Sequence, residues 1–137
     1  MQKLVFGWKT FMALLLGGLA HYLGGWDTLL QTLVILVVLD VVTGFLRAFI
    51  QKRLSSDVSF RGIAKKALIF VIVAVAVQVD RITGMEAVAR NVVAAFYCAS
   101  EGLSVVENAV ASGMPVPEFL REALKQINEK KFTKSVS

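Results

Sequence analysis

The chain has 137 residues, 56% of them hydrophobic and 18% charged, with a net charge of +5 and a mean hydropathy of +0.67. A soluble domain carries about 25% charged residues; here the apolar residues stand in long unbroken blocks, and no length remains for a large soluble core beside a membrane part. The basic residues cluster between and after those blocks, where the positive-inside rule puts them, so the charge does not argue for nucleic acid as a partner.

The first block, FMALLLGGLAHYLGGW (11–26), is short and broken by Gly17, Gly18, Gly24 and Gly25. It reads as a membrane span, with two alternatives. One is a signal peptide with a small-residue exit at Gly18 and Ala20. The other is an amphipathic segment lying on the bilayer, which would leave three spans. His21 and Trp26 fall where an interfacial belt sits. An internal start at Met12 would remove both Lys3 and Lys9.

The second block, Leu29 to Ile50, covers about 33 Å as a helix, which matches a hydrocarbon core of about 30 Å. Asp40 lies deep in this run. An aspartate at the centre of such a helix costs roughly 2.5–3.5 kcal/mol on insertion scales, so something must offset it. Asp40, Thr43, Gly44 and Arg47 share one helix face. Gly44 and Ala48 form a small-xxx-small pair that admits another helix closely. Arg47 lies about 10 Å along the axis from Asp40, too far for a direct pair, and is expected to snorkel to the cytoplasmic interface.

A basic loop follows, holding Lys52, Arg53, Arg61, Lys65 and Lys66. The third span covers about 67–83 and is apolar almost all round. The fourth, about 87–110, is amphipathic: Arg90, Ala94, Tyr97, Glu101, Ser104 and Asn108 alternate spacings of four and three along one seam, with Glu107 one step round. With four spans and cytoplasmic ends, all but Arg81 and Arg90 of the 15 basic residues lie inside. After Met114-Pro115-Val116-Pro117 comes a short amphipathic helix, with Leu120, Leu124 and Ile127 on one face, and then a basic tail.

These elements make an all-α integral membrane protein of four, alternatively three, transmembrane helices plus a short amphipathic C-terminal helix. Residues 1–112 form the bundle, and 113–137 the cytoplasmic helix and tail. The polar faces of spans two and four either satisfy each other within the chain or face other copies and a water-filled lumen. On either account Asp40 faces protein or water, not lipid. The second account makes Asp40, Thr43, Gly44, Arg47, Ala48, Arg90, Tyr97, Glu101, Ser104, Glu107 and Asn108 the assembly or pore-facing set.

No motif for an enzyme, cofactor or metal site is present: there is no GxSxG, HExxH, P-loop or CxxC. One histidine and one cysteine, Cys98, build neither a triad nor a metal site. Cys98 reads as a small packing residue.

The order of these features resembles the toxin-secretion/phage-lysis holin family, found in phages of Gram-positive bacteria and in clostridial toxin loci. The matching pieces are Asp40, Thr43-Gly44 and Ala48 in DVVTGFLRA, then Lys52-Arg53-Leu54-Ser55-Ser56 and Phe60-Arg61-Gly62-Ile63-Ala64-Lys65-Lys66. An apolar span ending in Asp80 follows, then Glu101-Gly102-Leu103-Ser104, Glu107-Asn108, and Gly113, Pro115 and Pro117. The match covers roughly residues 30–127 and departs from a typical member at Tyr97-Cys98-Ala99-Ser100. The resemblance implies a holin: a protein of the bacterial cytoplasmic membrane that assembles with other copies into lesions. These release a muralytic enzyme (an endolysin), or a toxin, without binding it directly. A small ion- or proton-conducting channel or transporter is the alternative, and a membrane scaffold the third reading.

Overall fold

The computed structural model describes residues 2–126, with side chains over 7–55 and 60–126. Lys3 of the expected N-terminal charge, Ile127 of the expected C-terminal apolar face, and Lys130, Lys131 and Lys134 of the basic tail lie outside the described side chains. All described secondary structure is helical: α1 (Gln2–Tyr22), α2 (Thr28–Ile50), α3 (Ser56–Thr83), α4 (Val88–Ala111) and α5 (118–126). Two of them, over Thr28–Ile50 and Phe60–Thr83, are long and apolar enough to cross a membrane.

Helices α1 and α3 depart from the expected bounds. Helix α1 runs unbroken through Gly17 and Gly18 and stops at Tyr22 instead of reaching 26. Two glycines among good helix formers cost about 1 kcal/mol each, too little to break a helix of this length. Helix α3 begins at Ser56, not near 67, so Arg61, Lys65 and Lys66 are helical and not in a loop. Their long side chains are themselves good helix formers. Only Lys52 and Arg53 of the expected basic loop stand in the α2–α3 connection.

The connections are short because four helices close the same way. In each, a residue with positive φ turns the chain and the next amide donates back five residues: Gly25 to Ala20, Arg53 to Ala48, Met85 to Asp80 and Met114 to Ala109. The turning residues are Gly24, Lys52, Gly84 and Gly113. This is the six-to-one bond of a Schellman ending, which satisfies an otherwise orphaned carbonyl.

Helix α4 is the centre of the bundle. It packs on both α2 and α3, while α2 and α3 touch each other little. Contacts of Leu29 with Cys98 and of Gln51 with Ala111 show that α2 and α4 run in the same direction. Helix α3 runs opposite, bringing Asp80 to Arg90 and Lys66 to Glu101. Leu33 and Val37 from α2, Ile69 and Val73 from α3, and Ala94 from α4 form the core. The outward faces are apolar too: Ile35, Val38, Leu46 and Phe49 on α2, and Leu68, Val71 and Val75 on α3, are exposed. A bundle apolar inside and outside has lipid as its natural solvent.

Helix α1 contributes little to this core, and Trp8, Phe11, Leu14 and Leu19 along it are exposed. At the other end α5 folds back, so that a methyl group placed on Gly102 would stand 3.2 Å from Leu124.

Candidate functional site: two ionised layers in the bundle

The polar residues that interrupt the apolar helices gather at two levels. The inner level is built on Asp40 of α2. Its carboxylate lies 2.6 Å from the Lys66 ammonium of α3, and Lys66 reaches Glu101 of α4 at 2.5 Å. One cation thus bridges two carboxylates that are 7% and 5% exposed as residues. Asn108, about two turns beyond Glu101, donates to Asp40 Oδ1 at 3.0 Å and to Thr43 Oγ1 at 3.2 Å. Its carbonyl accepts from Arg47 at 3.3 Å. Thr43 in turn donates to the Leu39 carbonyl one turn back, at 2.8 Å. Every member has a partner on another helix or in its own backbone, which is what a buried polar network requires.

Beside this network a groove of about 260 Å3 opens between α2 and α3. Gly44 and Ala48 form part of one wall, Gly62 and Ile63 the other, and Ser104 and Asn108 of α4 the floor.

The outer level is a clasp around Arg90, 2% exposed. Its guanidinium pairs with Asp27 through both terminal nitrogens, one at 2.8 Å, and donates to the carbonyls of Leu23 at 3.0 Å and Gly25 at 3.3 Å. Asp27 also caps α2, accepting from the Leu30 amide at 2.9 Å. The Arg90 hydrogen bond holds the Asp27 carboxyl down at about 2, against an ordinary 3.8. The Leu30 amide adds to this and partial burial opposes it. Asp80 completes the level from α3, accepting from the Ala89 and Arg90 amides at 2.8 Å each. It caps α4, whose own N-cap, Ala87, has no side chain for the purpose and sits at φ +58°. The acidic charge also faces the positive end of the α4 dipole.

The structure therefore unites Asp40, Thr43, Arg47, Glu101 and Asn108, and places Gly44, Ala48 and Ser104 on the neighbouring groove. Arg90 belongs to the other layer, about 17 Å away along α4. Tyr97 packs partly buried against the core, edge-on to Phe96. Glu107 is exposed. Arg47 reaches Asn108 and does not simply snorkel.

Three residues outside the expected assembly set complete the two layers: Lys66, assigned to a loop, Asp80, named only as the end of the third span, and Asp27, which sequence reasoning left out. Spacing held a signal for them. Asp27 precedes Asp40 by 13 residues and Lys66 precedes Asp80 by 14, both about 20 Å of helix, so charges on neighbouring helices fall at matching depths.

The family model described as the bacteriophage holin family matches residues 17–129. An uncharacterized protein of Clostridium perfringens is 45% identical over 108 residues, covering 78% of this chain and 80% of the relative. A second, an uncharacterized 14.9 kDa protein of the same species, is 44% identical over 109 residues, covering 79% and 83%. A probable holin of Bacillus phage phi105 is 32% identical over 120 residues, covering 88% and 87%. No solved structure matches the chain. With more than three quarters of its length inside the family match, and with a phage relative of nearly the same extent, the chain belongs to the bacteriophage holin family.

Proposed function

We propose that this chain is a holin that accumulates in the bacterial cytoplasmic membrane and, at sufficient density, assembles with other copies into lesions. The lesions release a muralytic enzyme to the wall, or a toxin, without a binding site for either. Helices α1 to α4 cross the bilayer, with both ends cytoplasmic.

The observation that carries this reading is the closed polar network inside an all-round apolar bundle. Asp40, Lys66, Glu101 and Asn108 are satisfied within one chain, so a single copy can rest in lipid without conducting. The same groups can be exchanged for contacts with other copies or with water, and Asp40, Thr43, Arg47, Glu101 and Asn108 then face the assembly or its lumen. Interhelical polar contacts are worth only about 0.6–2 kcal/mol each in membranes. A sharp transition therefore needs many of them rearranging together.

The test is inducible expression in bacteria beside a cytosolic muralytic enzyme that lacks a secretion signal, with culture density and membrane potential followed together. Abrupt lysis after a delay, dependent on the enzyme, is the expected result. Loss of potential without lysis would favour a small ion or proton channel instead. No effect on either would leave a scaffold role. Asp40→Asn is expected to change the onset of lysis; an unchanged onset would remove Asp40 from the trigger.

A further inference from the structure

Helix α1 and the groove between α2 and α3 match in apolar character, depth and charge, yet they do not meet within one chain. The apolar side chains along α1, among them Phe11, Leu14 and Leu19, are exposed, and so is Lys9. The groove is walled by Val41, Gly44, Phe45 and Ile63 and charged at Asp40 and Lys66.

Depth aligns the two. Tyr22 and Thr28 flank one turn, so residues equally far from it on α1 and α2 lie at equal depth when both helices cross the bilayer. Lys9 lies about 20 Å from Tyr22 along α1, and Asp40 about 18 Å from Thr28 along α2. Charge matches as well. At that level two buried carboxylates, Asp40 and Glu101, share the single ammonium of Lys66. Arg61 and Lys65 stand on α3 outside the groove lining, and Arg47 is engaged with Asn108 nearer the cytoplasmic end.

We propose that the α2–α3 groove is a docking surface for α1 of a second copy of this chain, and that Lys9 of that copy completes the charge balance beside Asp40. The proposal rests on the holin reading above, with α1 as a span. Each copy offers one α1 and one groove, so the contact is heterologous. Repeated, it closes into a ring or runs on as an open array, as a large lesion of many copies requires.

Disulfide trapping tests it. In a Cys98→Ala background, a chain carrying Lys9→Cys is co-expressed with a differently tagged chain carrying Val41→Cys, and the membranes are oxidised. A mixed dimer is expected with Val41→Cys, in the groove, and not with Leu39→Cys, on the far side of α2. Equal trapping at both positions, or none, overturns the docking. With the muralytic enzyme present, Lys9→Gln is expected to delay lysis at least twofold and Lys9→Arg to restore it; an unchanged onset in Lys9→Gln also overturns it. The two readings fail separately. If the unmodified chain releases no enzyme, the holin reading falls; if it does and the cysteines do not pair as stated, only the docking falls.

Discussion

Asn108 of α4 donates its side-chain amide to Asp40 of α2 across 3.0 Å, although 68 residues separate them in the chain. With Lys66 on the other carboxylate oxygen of Asp40, this contact ties three helices together at one depth. It is the clearest reason why an aspartate is tolerated within the apolar run of α2.

Removing the cation from that network should cost more than removing the whole network. Lys66→Met leaves Asp40 and Glu101 facing each other without a counter-ion, and a loss of about 3 kcal/mol is expected, the scale on which buried pairs are broken. The triple variant Asp40→Asn, Lys66→Met, Glu101→Gln should recover most of that loss. Reversible unfolding in detergent micelles measures both. Additive, undiminished costs in the triple variant would mean that the three residues do not act as one unit.

The outer clasp depends on the shape of the guanidinium as well as on its charge. Arg90 serves Asp27 and two loop carbonyls at once, and a lysine cannot reproduce that fork. Arg90→Lys is expected to cost about 2 kcal/mol and to increase protease cleavage in the α1–α2 loop. Equal cleavage in both proteins would show that the loop is held by something else.

Acid should open the same clasp. The Asp27 carboxyl is held down at about 2 from 3.8, chiefly by its hydrogen bond with Arg90. A depressed folded-state value contributes stability that is fully present above about 4 and is lost as the pH falls towards 2. Asp27 is half exposed, so solvent screening keeps the effect modest. Unfolding curves between pH 5 and pH 2 should show a decline in the parent that is shallower in Asp27→Asn.

Two left-handed residues lack the glycine their backbone favours: Lys52 at φ +52° and Ala87 at φ +58°. Lys52→Gly and Ala87→Gly should each stabilise the chain by about 0.5–1 kcal/mol, most of the steric cost being relieved and part returned as unfolded-state entropy. Gly24→Ala should do the reverse. Its φ is +84°, and the added methyl would stand 3.1 Å from Arg90 Nε and 3.3 Å from Val77. Gly25→Ala, with open space around it, should cost less than Gly24→Ala. Thermal unfolding of the four variants ranks them directly.

At Gly44 a small side chain leaves the groove open and a large one occupies it. A methyl there would meet Asn108 Nδ2 at 3.8 Å, an ordinary contact. Gly44→Ala should therefore lyse on schedule. Gly44→Leu, which fills the groove, should delay or prevent lysis while leaving the chain inserted. Normal timing in Gly44→Leu would show that no helix enters there.

The long helical runs were legible because a helix is decided locally: every backbone bond closes within four residues. That is why α2 and α4 fall within a residue or two of their expected bounds. The importance of Asp40, Glu101 and Asn108 was legible for the same reason, since each is a costly residue in an apolar run. Helix starts were less legible: α3 extends eleven residues before its apolar part, because lysine and arginine favour helix and charge marks only where lipid ends.

What the sequence by itself could not decide was the partner of each polar group. Whether Asp40 met its own chain or another depended on α4 lying between α2 and α3, and on α3 starting early enough to bring Lys66 to the depth of Glu101. Periodicity gives the face on which a residue sits. Only the packing of three helices, fixed by Leu33, Val37, Val73 and Ala94 between the two ionised layers, decides which face it meets.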